Sequence, residues 1–353
     1  MAENKHTINE LKIMQAYPLW LKVEKTKRRI QEWGEYWGLQ NVAVGFSGGK
    51  DSTVLLHICR EMYPEIEAVY IDTGLEYPEI KAFVKTFDNV TILRPKMNFR
   101  QVIEKYGYPI ISKEVAQCIP QAKKALESND SRERDIYRVR LLNNEVRTKD
   151  GKLSQFNIPQ WKPLLNVRFN ISHLCCDIMK KRPAKSTKKY MFTGQMAGES
   201  HLRQTMWLKN GCNGFNMKKP ISNPMSFWTE QDVLHYIKDN NLPIASVYGD
   251  IIDCDGEIAG QENFFGLLGL QETLCTTGCD RTGCMFCLFG MHLEKGETRI
   301  QRLHRTHPRI YEYIMGGGEF NEQGLWIPNA KGLGLKFVMD EVNRVMGKEI
   351  YRY

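Results

Sequence analysis

No stretch of 18 uncharged apolar residues occurs in the 353-residue chain, so a membrane-spanning helix is not expected. The opening Met1-Ala2-Glu3-Asn4-Lys5 carries no apolar core of the kind a secretory signal needs. The expectation is a cytoplasmic protein with no membrane partner. Internal repeats and low-complexity tracts are missing as well, which excludes solenoid and linker architectures. Sulfur and charge, by contrast, are plentiful. Ten cysteines in a chain expected in a reducing compartment point to metal or redox chemistry rather than to a disulfide framework. The net charge of +8 suits an anionic partner, nucleotide or nucleic acid, and suits ordinary solubility equally well.

The chain is organised around Ser47-Gly48-Gly49-Lys50-Asp51-Ser52. Asn41 to Phe46 in front of it reads as a buried strand, and Thr53 to Arg60 behind it has apolar residues at helical spacing. A strand that ends in a glycine pair and turns into a helix N-terminus is a phosphate cradle. Free backbone N–H groups and the helix dipole favour an anion there, and glycine lets it approach. The pattern is not a Walker A loop, because Val44 holds the first glycine position and Asp51 follows the lysine. An acid at such a cradle makes sense if Mg²⁺ bridges it to a pyrophosphate, since hard cations take carboxylate and phosphate oxygens.

The stretch resembles the PP-loop of ATP pyrophosphatases, which split ATP into AMP and pyrophosphate. Within that superfamily the rest of the chain is similar to the phosphoadenylyl-sulfate (PAPS) and adenylyl-sulfate (APS) reductases, in ordered blocks over roughly residues 40–290. The alternation of elements agrees. Strands at Glu67–Asp72, Val90–Leu93 and Lys189–Gly194 alternate with helices opened by Pro78 and running over Phe99–Tyr106. The fold class expected is α/β: a Rossmann-like (adenine nucleotide alpha hydrolase-like) parallel sheet with helices on both faces. The domain reading is a helical segment over 1–40, a PP-loop domain over 41–290 with a charged insertion near 122–155, and a basic helical extension over 291–353. Ligands of such sheets sit beyond the carboxyl ends of the strands.

The resemblance assigns roles residue by residue. Ser47, Gly48, Gly49, Lys50 and Ser52 would cradle pyrophosphate, with Asp51 holding Mg²⁺. Asp72 and Thr73 stand in the turn that contacts the nucleotide in the family. Gly194, Gln195 and Arg203 match the loop whose arginine lies near the nucleotide phosphates, and an arginine there can bind phosphate with two prongs. Lys50, Asp51 and Arg203 are the catalytic candidates. The alternative for Arg203 is a surface ion pair. Asn223 to Val233 completes the match, with Thr229 and Asp232 as a structural helix cap.

Adenylyl-sulfate reductases also carry a tandem Cys-Cys and a later G-C-x-x-C that hold a 4Fe–4S cluster. The corresponding residues here are Cys175, Cys176, Cys284 and Cys287. Two adjacent cysteines reach two irons of a cubane more easily than two vertices of one zinc tetrahedron. The rival is a Cys₄ zinc knuckle of Cys275, Cys279, Cys284 and Cys287, with Cys275 and Cys279 otherwise mobile thiols. Cys59 and Cys118 read as core, and Cys212 as ambiguous. The family's sulfite-releasing cysteine has no counterpart between residue 288 and Tyr353.

The expected function is ATP-dependent adenylation coupled to sulfur transfer onto a nucleic acid, tRNA or DNA, or a small acceptor. The cofactors are ATP or another adenine nucleotide, Mg²⁺ and the cluster, with Zn²⁺ as the alternative metal. A sulfur donor such as a cysteine desulfurase is the expected partner, and a homodimer is among the expectations. Two alternatives stand beside it: a sulfonucleotide reductase whose nucleophile has moved to Cys275 or Cys279, and a zinc-containing nucleic-acid-binding protein. The tail from Thr298, with interleaved arginines, histidines and tyrosines, suits either a polyanion surface or a solvated basic face.

Overall fold

The computed structural model describes residues 4–128, 136–254 and 273–353. The chain gathers into two compact units that interleave along the sequence. The first comprises Met1–Asp72, Glu76–Arg94 and Pro183–Thr282; the second comprises Thr73–Leu75, Pro95–Arg182 and Gly283–Tyr353. The expected 1–40 segment falls in the first unit and the 291–353 extension in the second.

The first unit is built on four short parallel strands, β1 (Val42–Gly45), β2 (Ala68–Ile71), β3 (Val90–Leu93) and β4 (Tyr190–Thr193). Their order in the sheet is β3-β2-β1-β4. The register pairs Val44 with both Ala68 and Phe192, and Ala68 with Val90. Val42, Ala43, Val44, Ala68, Val69 and Phe192 are all buried, as the near-continuous apolar strands of a covered parallel sheet should be. The edge strand β3 is wetter, with Ile92 exposed. Because all four strands are parallel, their carboxyl ends share one edge. The order reverses between β1 and β4, so the crevice beyond those two strands is the topological switch point where such sheets bind ligands.

The helical segment expected over 1–40 holds two helices, α1 (Ile8–Gln15) and α2 (Leu19–Trp37). Pro18 is the break, since it has no N–H to donate and drives Tyr17 out of the helical region. The apolar face of α2 packs inward. Ile30 and Trp33 are fully buried, and the Trp33 indole N–H donates to the Tyr190 carbonyl at 3.3 Å. The face also carries polar groups that periodicity did not reveal. Lys22 is buried against Asp232 at 2.6 Å, and Thr26 accepts from the Trp228 indole at 2.9 Å. Asp232 doubles as the capping-box acid of the helix Glu230–Asp239, accepting from Thr229 N and Oγ1.

The second unit has two parallel two-residue strands, Ile110–Ile111 and Leu288–Phe289, with helices Phe99–Tyr106, Lys113–Leu126, Arg299–Thr306, Pro308–Met315 and Leu335–Met346. The last three of these lie within the helical extension expected over 291–353. Of the charged stretch 122–155, residues 129–135 lie outside the described residues, and the remainder holds a short helix Tyr137–Leu142 and a turn bridged from Arg147 to Leu153. The basic tail is substantially neutralised by its own carboxylates. Arg299 pairs with Glu294, and Arg302 and Arg305 share Glu297.

A buried carboxylate anchors the second unit. Glu341, only 2% exposed, accepts from the Arg168 guanidinium at 3.0 and 3.2 Å and from Arg344 at 2.8 and 2.9 Å. The Arg168 guanidinium also lies over the rings of Phe320 and Phe337. The Arg344 hydrogen bonds, helped by those from Arg168, outweigh burial and hold the Glu341 carboxyl down at about 2, against an ordinary 4.5. A depressed carboxyl stabilises the fold above its unfolded value and loses that contribution as pH falls toward the folded one. The stability gap between the native chain and Glu341→Gln is therefore expected to be full at neutral pH and to shrink from about pH 4.5 toward 2. Its size at pH 7 is expected on the order of 2 kcal/mol, as for lost charge-assisted hydrogen bonds. Denaturant titrations across that range measure it, and a gap that does not change with pH contradicts the assignment.

Candidate functional site

The Ser47–Ser52 loop leaves β1 at the sheet's carboxyl edge and enters α3 (Lys50–Met62). Gly48 adopts φ +72°, and a Cβ there would lie 2.8 Å from methyl groups of both Ile80 and Val84. Only glycine fits such a backbone in such a space. The loop is cross-braced by its serines: Ser47 N donates to Ser52 Oγ at 3.1 Å, and the two hydroxyls stand 3.0 Å apart. From the neighbouring strand, Gly194 follows β4 so closely that a Cβ on it would meet the Asp51 carbonyl at 3.0 Å. The two strands at the switch point thus bring the Ser47 loop and the Gly194 loop together, as expected for a shared site.

Asp51 sits in the first turn of α3 with Oδ1 buried and without a hydrogen-bond partner among the described residues. Burial raises its carboxyl, the charges of Lys50, Arg281 and Arg203 pull it back, and Glu230 pushes it up again. A buried carboxylate oxygen with an empty valence, at a helix N-terminus and among cations, fits a hard divalent cation. Asp51 is the residue that would hold such a cation, which would supply charge neutralisation for phosphate.

Lys50 is 4% exposed and fully engaged. Its Nζ donates to the Asp280 carbonyl and pairs with Glu230 Oε1 at 2.7 Å. Its backbone N–H, one of those a phosphate would take, donates to the Tyr248 hydroxyl at 3.3 Å, and that hydroxyl is 2.6 Å from Thr282 Oγ1. Arg203 and Arg281 both pair with Glu199, and burial lowers the Arg203 guanidinium. Beside these groups opens a cleft of about 350 Å³ lined by Lys50, Asp51, Glu199, Thr229, Glu230 and Arg281.

The other expected residues take separate places. Gln195 lines a water-sized cavity with Arg203 and Cys212, whose buried thiol is pushed up to about 11. Asp72 is buried and pairs with Lys81 at 2.7 Å and Arg94 at 3.4 Å; burial raises its carboxyl, but these partners bring it below its ordinary value. The boundary between the units falls right after it, and Thr73 accepts from Leu75 N at 3.2 Å in the second. Tyr248, Glu230, Asp280, Arg281 and Thr282 were not singled out from the sequence. Only the first-turn position of Glu230 behind the Thr229 cap gave a local signal.

The four cysteines Cys175, Cys176, Cys284 and Cys287 all belong to the second unit. Cys175 and Cys176 begin a helix that widens into a π turn over Asp177–Lys181, and Cys287 N donates to the Cys284 carbonyl at 3.1 Å. Burial pushes the Cys175 thiol well up, and the charges of Cys284, Cys176 and Cys287 push it further, so the two pairs share one neighbourhood. Burial also raises the Cys287 thiol, opposed by the Phe289 N–H on its sulfur and by Arg299 and Lys180. Among the described residues no three His, Cys, Asp or Glu side chains stand ready around a single metal ion. Two thiol pairs that feel one another, with N–H and cationic support, are a donor set suited to a multi-iron cluster. Cys275 is joined to Cys254 in a disulfide, which removes one thiol from the zinc-knuckle set. Cys59 and Cys118 are buried, as expected for core thiols.

Among known proteins, an uncharacterized protein of Methanocaldococcus jannaschii is 34% identical over 99 residues, or 25% of this chain. The chain spans only 24% of that relative's length. The crystal structure of phosphoadenylyl-sulfate reductase from Candida auris, in its phosphate complex, matches 69% of this chain and 92% of its own at 14% identity and a TM-score of 0.35. Likeness at that level bears on neither fold nor function. The phosphoadenosine phosphosulfate reductase domain family, by contrast, matches residues 41–130 and 134–288. With a glycine-paired loop at the switch point of a parallel sheet and a match across most of its length, the chain belongs to that family.

Proposed function

We propose that this protein is an iron–sulfur PP-loop enzyme that adenylates an acceptor with ATP and replaces the AMP by sulfur. The observation that carries the reading is the buried Asp51 Oδ1, without a hydrogen-bond partner among the described residues, at the N-terminus of α3, beside Lys50 and within the field of Arg203 and Arg281. That arrangement suits a cation-bridged polyphosphate better than a single anion.

In the proposed reaction an acceptor oxygen attacks the α-phosphorus of ATP. The bond to the β-phosphate breaks, and pyrophosphate leaves with the electron pair. The loop N–H groups of residues 48–50 and the Lys50 ammonium stabilise that leaving charge, Asp51 holds Mg²⁺, and Arg203 and Arg281 steady the remaining phosphates. A terminal persulfide sulfur, delivered by a donor such as a cysteine desulfurase, then attacks the adenylated centre. The bond from that centre to the AMP oxygen breaks, and AMP leaves with the electron pair. A dithiol reductant cleaves the resulting disulfide, so that the sulfur stays on the acceptor, a tRNA or DNA or a small molecule. Cys175, Cys176, Cys284 and Cys287 would hold the 4Fe–4S cluster, which supplies a site where sulfur can be bound and passed on. Lys50 reaches the nucleotide by exchanging Glu230 and the Asp280 carbonyl for phosphate oxygens.

The family match favours a second reading, a sulfonucleotide reductase that releases sulfite. Its proposed nucleophile, Cys275 or Cys279, is either in a disulfide or buried in this structure.

Chain purified without oxygen is expected to carry iron and sulfide in equal amounts and to release pyrophosphate from ATP in the presence of its acceptor. Zinc without iron points to the nucleic-acid-binding alternative, and sulfite from a sulfonucleotide points to the reductase. Asp51→Asn is expected to cut Mg²⁺-dependent turnover by on the order of 10²-fold or more, the scale of losing one preorganised charge contact. Cys175→Ser is expected to lose iron while retaining nucleotide binding, as measured by metal analysis beside calorimetry. If Asp51→Asn turns over normally, the assignment of the metal site is wrong.

A further inference from the structure

Together with Glu230, the segment Thr277–Thr282 occupies groups at the rim of the cleft beside Lys50. Its Asp280 carbonyl occupies the Lys50 ammonium, and its Thr282 hydroxyl holds the Tyr248 hydroxyl that occupies the Lys50 N–H. Its Arg281 lies on Glu199, at the rim of the same cleft. The segment is threaded tightly against 247–250. Gly278 N donates to the Tyr248 carbonyl at 2.8 Å, Cys279 N to the Val247 carbonyl at 2.9 Å and Thr277 N to the Asp250 carbonyl at 3.0 Å. Gly278 has no room for a side chain, since a Cβ would lie 2.4 Å from the Val247 carbonyl.

What feeds this segment is a minimal antiparallel ribbon, β5 (Ile251–Asp253) and β6 (Leu274–Thr276), of three residues each. A two-stranded ribbon so short has little stability of its own. Two clamps hold it. Gln231 exchanges hydrogen bonds with both backbone groups of Leu274, at 2.8 and 2.9 Å. The other clamp is covalent: Cys254 at the end of β5 is bonded to Cys275 in the middle of β6, 21 residues on. Cys254 is exposed and Cys275 half-exposed, so a solvent reductant can reach the bond. Disulfides of this kind, where thiols are otherwise kept reduced, are transient or redox-sensing rather than structural.

We propose that Cys254 and Cys275 form a reversible redox site whose disulfide keeps the Thr277–Thr282 segment on Lys50, and whose reduction releases that segment and opens the cleft to phosphates. The ligand class rests on the function proposed above; the latch itself does not. In the opening step a dithiol reductant attacks one sulfur of the pair, displaces the other as a thiolate and leaves as its own disulfide. Two electrons and two protons pass to Cys254 and Cys275. Closing is the reverse exchange with a small disulfide. Reduction removes the covalent tie across β5 and β6, and the loosened β6 no longer fixes where Asp280 and Thr282 stand. Lys50 then trades a carbonyl and a carboxylate for a ligand.

The test compares the full-length oxidised chain with Cys254→Ser, which stays open without added reductant and so leaves any cluster undisturbed. Lys50 is probed with an amine-acylating reagent and read by mass spectrometry, while Mg²⁺–ATP binding is read by calorimetry. Lys50 labelling is expected to rise at least fivefold in Cys254→Ser, and the ATP dissociation constant to fall by a similar factor. Cys254→Ser/Cys275→Ser is expected to match the single variant, and Cys59→Ser, a buried thiol outside this ribbon, to match the oxidised chain. Equal labelling in the oxidised and open forms overturns the latch, as does failure to find a Cys254–Cys275 peptide in the oxidised protein. Labelling that rises while neither form binds ATP supports the latch and overturns the nucleotide reading instead.

Discussion

A lysine ammonium that is almost wholly out of water must be matched by acceptors, and Lys50 is matched by a carbonyl and a carboxylate from distant parts of the chain. This pairing is the constraint on which the first unit's site depends. It draws the Glu230 helix and the Asp280 segment to the N-terminus of α3, and with them Tyr248 and Thr282. The cleft therefore forms around the positive end of a helix, with its cations already paired to groups that phosphates can replace.

Charge in that cleft is closely balanced. Lys50, Arg203 and Arg281 face Asp51, Glu199 and Glu230, so no strong net field is left when phosphate is absent. Among the described residues of the cleft, Asp51 Oδ1 is buried without a hydrogen-bond partner, and the proposed cation would be held there. Exchange of ion pairs costs far less than creating a bare buried charge, because each cation always has a partner. Under the proposed function a polyanion would bind by substitution, with an affinity set by whatever holds the protein's own carboxylates and carbonyls in place. The second unit uses a different logic at Glu341, where two arginines hold a buried carboxylate and two aromatic rings stack on one of those arginines.

Much of this was legible from the chain alone, for local reasons. The apolar runs at 42–46, 68–71 and 190–193 form strands, and glycines at 48 and 49 stand where a strand must turn into a helix, so the parallel sheet and its phosphate loop follow from short-range pattern. Thr229 and Asp232 were readable as a cap for the same reason. The break at Pro18 was equally local, yet the amphipathic pattern on both sides masks it and suggests one continuous helix. Lys22 and Thr26 were illegible: each looks like a solvated residue until Asp232 and Trp228, some 200 residues on, come to meet them.

The sequence by itself determined the strand and helix types around β1 and the loop at its end, because backbone sterics and side-chain periodicity act over a few residues. Tertiary structure alone decided which groups hold Lys50, since Tyr248 and Asp280 lie 198 and 230 positions away from it. It also decided that Cys275, whose register partner across the ribbon is Ile252, is bonded to Cys254, two positions further on at the end of β5. Burial of a charge and closure of a long loop are properties of packing, and no local pattern encodes them.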